Sequence, residues 1–160
     1  MERKFEIIVR EYDSDSELGE DERNLIIAAK RASADAYAPY SGFMVGVSVM
    51  LGNGMVINGN NRENAAFPSG SCAERTALNY AGANFPGEKI TKMAICASYG
   101  DTFTDEPVSP CGSCRQLISE EEDRTGGAIR LILYGKKKVR IIDGIANLLP
   151  FQFNKSILKG

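Results

Sequence analysis

The chain has 160 residues, 43% of them hydrophobic and 25% charged, the make-up of one globular domain with its own core, which excludes a collagen, a coiled coil or a largely disordered chain. No apolar run reaches the ~18 residues of a membrane span, and the charged start MERKFEIIVREYDSD lacks the apolar segment of a signal peptide, so a cytoplasmic protein with no membrane partner is expected. A net charge of −2, with Lys and Arg scattered apart from Lys136, Lys137, Lys138 and Arg140, offers no basic face for a nucleic acid polymer.

Residues 4–12 (KFEIIVREY) are rich in strand formers, and the acidic stretch 13–21 that follows reads as a turn or mobile linker. Residues 1–20 are therefore set apart as an N-terminal extension, and 21–160 as the folded domain. Over 22–37 the apolar Leu25, Ile26, Ala29, Ala32 and Ala36 recur at helical spacing, which predicts an amphipathic helix stopped by Pro39. Two strand-like runs, 43–51 and 55–59, flank a Gly-Asn-Gly turn and predict a hairpin. A loop over 60–71 leads to a helix at 72–81, where Ala73, Ala77, Leu78 and Ala81 share a face.

A buried strand is predicted at 90–98, a polar loop at 99–110, a helix at 111–122, strands at 128–134 and 138–142, and a short helix at 145–149 ended by Pro150. Strands and helices alternating at these lengths predict right-handed crossovers and an α/β fold, a central sheet with helices on both sides. In such sheets ligands gather beyond the carboxyl ends of strands, where the next helices begin. Cys72 opens one of those helices and Cys111 the next, with Cys114 one turn further on the same face.

The chain contains no histidine. That removes the Ser-His-Asp triad, the Cys-His pair, the HExxH metalloprotease and every zinc site that uses His. Four cysteines remain, at Cys72, Cys96, Cys111 and Cys114, in a chain without secretory features, where clustered thiols point to metal or redox roles. Helix N-termini favour thiolate over thiol, and three thiolates leave a zinc ion one open tetrahedral position, the arrangement of a catalytic site. Glu74, two residues after Cys72, is placed to take a proton from water at that position. Arg75 and Arg115 are expected to offset the surplus negative charge by hydrogen bonding to the sulfurs.

Plainer readings exist for each residue. Cys96 as a fourth ligand would make the zinc structural, but it lies in the apolar run 93–97, the ordinary place of a buried cysteine. A redox pair at Cys111 and Cys114 leaves Cys72, Glu74 and Arg75 unexplained. Glu74 and Arg75 as solvated helix residues, Asn61 and Glu63 as loop residues bonding to backbone, and Phe43 and Phe153 as core aromatics are readings that the residues alone leave open.

CAERTA at 72–77 with SPCGSCRQ at 109–116 resembles the cytidine deaminase family, and YSGFMVGV at 40–47, NRENAAF at 61–67 and LLPFQF at 148–153 follow the same resemblance in order. It implies a three-layer α/β/α fold with a mixed central sheet and one zinc per subunit, held by Cys72, Cys111 and Cys114. It implies Glu74 as the proton shuttle, Asn61 and Glu63 on the ribose, Phe43 on the pyrimidine and the Ala73 backbone on its polar edge. Phe153 matches an aromatic that reaches a neighbouring subunit's site in tetrameric members, so a homotetramer acting on cytidine and deoxycytidine in pyrimidine salvage is expected. The alternatives are a deaminase of another aminopyrimidine nucleoside, such as a blasticidin-type antibiotic, and a non-catalytic zinc-stabilised binding module. Three features depart from the family pattern: the extension at 1–20, Arg62 in place of a branched apolar residue, and Phe67 in place of Tyr.

Overall fold

The structure, a computed structural model, describes residues 1–158, so 159–160 of the expected domain lie outside the described residues. Its strands are β1 (Arg10–Tyr12), β2 (Phe43–Leu51), β3 (Val56–Asn60), β4 (Ile90–Tyr99), β5 (Thr102–Phe103), β6 (Arg130–Tyr134) and β7 (Val139–Asp143). The helices are α1 (Glu20–Ala34), α2 (Ala73–Asn84), α3 (Gly112–Thr125) and a terminal turn, α4 (Lys155–Leu158). Among the described residues the strands form one sheet in the order β1-β7-β6-β4-β2-β3, with β5 on the end of β4.

The pairing is mixed. β4 and β6 are parallel, and every other neighbouring pair is antiparallel. Because β3 and β4 both run against β2, they share one direction, and β6 has it too. The connections β3–α2–β4 and β4–α3–β6 therefore deliver the starts of α2 and α3 to the same edge of the sheet, beyond the strands' carboxyl ends.

Alternation along the strands divides the core into two layers. Met93 and Ile95 of β4, with Val47, Val49, Leu131 and Leu133, pack against α2 and α3. Ala94 and Cys96, between and beside them, pack with Ile132 against Leu25, Ile26 and Ala29 of α1. The result is the expected α/β/α sandwich.

Two glycines bring helices unusually near the sheet. A Cβ on Gly59 of β3 would stand 2.6 Å from the Ala77 nitrogen and 2.7 Å from the Ala73 carbonyl oxygen. On the other face a Cβ on Gly46 of β2 would stand 2.0 Å from the Ala29 carbonyl oxygen.

The ends of the chain depart most from expectation. Of the strand predicted at 4–12 only Arg10–Tyr12 pairs, against a β7 of five residues, and Phe5, Ile7, Ile8 and Val9 are exposed. The ladder ends at Arg10 although Ile142 and Asp143 of β7 run on beyond it. The linker at 13–21 is ordered rather than loose: a 3-10 turn at Asp15–Glu17 has a capping box from Ser14 and Glu17, and Leu18 is buried against α1. α1 stops at Ala34, before Pro39 is reached, and the predicted helix at 145–149 is a 3-10 turn, Ile145–Asn147. The loop at 99–110 contains β5, and the turn α4 was not foreseen.

Candidate metal centre and catalytic cleft

Cys72 is the N-cap of α2 and Cys111 the N-cap of α3, and in neither does the cap side chain accept a hydrogen bond from the helix's first N–H groups. Both sulfurs thus lie at the positive ends of helix dipoles. Cys114, one turn into α3, points back to the same place and is fully buried. The three Sγ atoms lie within 4.8 Å of one another, and those of Cys72 and Cys111 are 4.0 Å apart. Sulfurs around a tetrahedral zinc at a Zn–S distance of ~2.3 Å are about 3.8 Å apart, so the donor set fits that ion in number, chemistry and spread. Cys96 stands apart on the α1 face, its Sγ donating to the Ile26 carbonyl at 3.7 Å, which removes the fourth-ligand reading.

Charge is unevenly shared among the sulfurs. The Cys72 thiol is lowered to about 6, first by its hydrogen bond with Cys114, then by Cys111 and the positive charge of Arg75. Cys114 is pushed up by that same pairing, by burial and by the nearby Glu74. A cation at the centre reverses this competition, because it stabilises all three anions at once.

Glu74 is 5% exposed. Burial holds its carboxyl above the ordinary glutamate value and the Cys72 charge adds to the rise, while its own backbone N–H and the Cys114 thiol work against it. A buried carboxyl beside three sulfurs that could hold a metal is the kind of group general acid–base chemistry uses.

Cys72, Cys111 and Glu74 line the inner wall of a cleft of about 660 Å³, with Cys114 buried behind them. Phe43, Asn61, Glu63, Cys72, Ala73 and Glu74 all face it, as expected. Phe43 opens β2 and its ring packs on Tyr99 at 4.9 Å. Asn61 is partly engaged with β2: its Oδ1 accepts from the Val45 N–H at 2.7 Å, and its Nδ2 donates to the Phe43 carbonyl at 2.8 Å. The Glu63 carboxylate accepts from the Tyr40 N–H at 2.8 Å, the Ser41 N–H at 3.2 Å and the Ser41 hydroxyl. Those bonds hold its carboxyl below the ordinary value.

Two expected placements differ. Neither arginine hydrogen-bonds a sulfur: Arg75 donates to the Ser113 hydroxyl at 3.0 Å and reaches Cys72 only through its charge. Arg115 donates to the carbonyls of Pro110 at 2.9 Å and Leu148 at 3.0 Å, so it ties together backbone around the ligand turn. Phe153, expected at a neighbouring subunit's site, lies outside this chain's own cleft and is 55% exposed, its carbonyl accepting from Gln116 at 2.7 Å. Arg62 lies over the Tyr37 ring at 5.4 Å and donates to the Asp35 carbonyl, pinning the loop to the end of α1.

Residues not singled out from the sequence also shape the cleft. Ser41, which orients Glu63 and accepts from the Phe43 N–H at 3.0 Å, stands beside Gly42 at φ 68°, so the YSGF motif carried its signal. Val108 and Ser109 line the wall ahead of Cys111, and nothing in their residue types marked them.

Residues 19–125 match the family model for the cytidine and deoxycytidylate deaminase zinc-binding region. A cytidine deaminase of Sporosarcina psychrophila is 36% identical over 138 residues, covering 86% of this chain and 95% of its own. One from Halalkalibacterium halodurans is 40% identical over 100 residues, or 62% of this chain and 71% of its own. The crystal structure of cytidine deaminase from Burkholderia pseudomallei superposes with a TM-score of 0.70 at 36% identity, covering 82% of this chain and 98% of that one. A match of that length and identity, running through the sulfur cluster and Glu74, means that the chain belongs to the cytidine deaminase family.

Proposed function

We propose that the chain catalyses the hydrolytic deamination of cytidine and deoxycytidine, consuming water and releasing uridine or deoxyuridine and ammonia. The observation that carries this is the buried Glu74 carboxyl beside three converging sulfurs on the wall of a cleft large enough for a nucleoside. Zinc held by Cys72, Cys111 and Cys114 supplies Lewis-acid activation of the attacking water.

Glu74 would take the proton that the attacking water loses and pass it to the ring nitrogen beside the reacting carbon, then take the second from the hydroxyl added to that carbon and pass it to the departing amine. The Ala73 backbone, at the first position of α2, meets the polar edge of the base, and Phe43 packs on its face. Glu63 has used three of about four acceptor positions on its carboxylate. The remaining one, on Oε1, suits a sugar hydroxyl, and Asn61 keeps a free N–H and a lone pair for another.

Other features support an assembly and a reducing setting. Phe67 at the cleft and Phe151, Phe153, Ile157 and Leu158 near the end of the chain are exposed apolar side chains that a homotetramer would cover, closing the cleft against water. No helix among the described residues is long and apolar enough to cross a membrane, and four free thiols fit the cytoplasm.

Glu74→Gln tests the reading. The variant is expected to keep its zinc and its fold while turnover of cytidine falls by about 10²–10⁴-fold, the ordinary contribution of a general acid–base group. Unchanged turnover, or greater activity on an oligonucleotide than on cytidine, would overturn it.

A further inference from the structure

Residues 1–18 precede the part of the chain that matches the family model, yet they bind residues that themselves hold the segments beside the turn of Cys111 and Cys114. We propose that the N-terminal segment is a clamp that positions this ligand turn, an inference that rests on reading those cysteines as metal ligands.

The first arm is ionic. Glu11 of β1 accepts from Arg140 Nε at 2.7 Å and from Lys138 Nζ at 3.2 Å. The same Arg140 turns its Nη2 to Glu106 at 3.2 Å, so one guanidinium joins the N-terminal segment to the loop that ends at Cys111. That loop is held firmly at this point. Lys136 and Lys137 donate backbone N–H bonds to the Thr104 and Asp105 carbonyls at 2.8 and 3.0 Å, and both lysine side chains pair with Asp105. Gly135 lies so near that a Cβ there would stand 2.5 Å from the Asp105 carbonyl oxygen. Only residues 107–110 then separate the anchor from Cys111, and Pro107 and Pro110 stiffen them. A displacement of Glu106 has little slack in which to dissipate before it reaches the sulfur.

The second arm is mainly apolar. Phe5 sets its ring edge-on to Phe151 at 5.0 Å, and the Ile8 N–H donates to Asn147 Oδ1 at 3.0 Å. The segment so gripped includes Leu148, whose carbonyl accepts from Arg115, and Arg115 also holds the Pro110 carbonyl. The first arm ends at Glu106, five residues before Cys111, and the second at the Pro110 carbonyl just before it. Covering the edge of β7 would require only the β1–β7 ladder. It gives Arg140 no reason to reach Glu106.

The experiment measures the rate at which zinc passes from the loaded, full-length protein to an excess of chelator. Arg140→Met is expected to release zinc about two- to fivefold faster, the range an exposed ion pair allows, and Glu11→Gln to do so to a smaller extent. Because both act through one guanidinium, the double variant should be no faster than Arg140→Met alone. Phe5→Ser, on the other arm, should add to either. Asp21→Asn, which removes the distant Lys92–Asp21 pair, serves as the control and should leave the rate unchanged.

Release at the parent's rate from Glu11→Gln and Arg140→Met, or equal acceleration by Asp21→Asn, overturns the clamp while the ligands stand. A parent chain that binds no zinc, or a Cys114→Ser variant that holds it as tightly, overturns the ligand reading and the clamp with it.

Discussion

The two faces of the sheet hold the same thiol group in opposite conditions. On the α1 face Cys96 is fully buried, and burial pushes its thiol up to about 12, beyond the reach of metal or oxidant at neutral pH. On the α2/α3 face Cys114 is equally buried, but Cys72 and Cys111 stand within 4.8 Å at two helix starts. Burial alone therefore makes a cysteine inert. Burial beside helix dipoles and further sulfurs makes it a ligand once a cation is present to balance the charge. The difference arises from topology: β3 and β4 run in one direction and so bring both helix starts to a single edge.

The strongest way to break this comparison is to remove one thiol from each face. Cys114→Ser should drop zinc content from one per chain toward zero, with activity falling more than about a hundredfold, beyond what loss of a group merely supporting a ligand costs. Metal analysis and a cytidine assay on the same preparation check it. Cys96→Ala should keep both metal and activity and cost about 1 kcal/mol in denaturant unfolding, the price of a small cavity.

Gly46 and Gly59 sharpen the contrast at the next level of effect. Alanine at either forces a methyl against helix backbone, and overpacking of that kind costs about 1–3 kcal/mol or more. Both variants should lose stability in urea. They should part company on zinc: Gly59→Ala moves the start of α2, where Cys72 and Glu74 sit, and is expected to weaken zinc binding, whereas Gly46→Ala presses on α1 and leaves it intact. Equal loss of zinc affinity in the two would mean that the faces are not independent.

Legibility in the sequence followed how local each signal was. Periodicity placed α1 because Leu25, Ile26 and Ala29 face one neighbour, and the Gly-Asn-Gly turn placed the β2–β3 hairpin. The cysteine spacing located a metal centre because Cys111 and Cys114 share a helix turn, a relation contained in four residues. Strand order was not local: nothing in residues 4–9 tells that β7 pairs with only three of their successors. The arginines erred for a similar reason. Their charge suggested sulfur as a partner, but a guanidinium goes to whatever acceptors the fold supplies, and for Arg115 these were two carbonyls 33 and 5 residues away. Asn61 and Glu63 line the cleft, and they also bond backbone as their plainer reading allowed, while the choice of Val45, Phe43, Tyr40 and Ser41 as partners depended on how the loop closed.

The smallest expected effect concerns the charges that seal the α1 face. Asp143 of β7 accepts from Arg130 Nε at 2.7 Å and also pairs with Arg10 of β1, while Arg130 extends to Glu22 of α1 at 2.9 Å. Arg130 first and Arg10 second hold the Asp143 carboxyl below the ordinary aspartate range. A group lowered in the folded state contributes its stabilisation fully above the unfolded value, about 3.9, and loses it as pH falls through the folded one. Partial exposure keeps the contribution small, within the ~1 kcal/mol or less of a surface pair. Asp143→Asn should therefore lower stability slightly at pH 7 and flatten the acid limb below about pH 4, where the parent's stability declines as this carboxylate is protonated. Urea midpoints taken from pH 7 down to pH 3 would show the curves converging. A gap that stays constant over that range would mean that Asp143 acts on this face by shape rather than charge, leaving Arg130 and Glu22 to seal it.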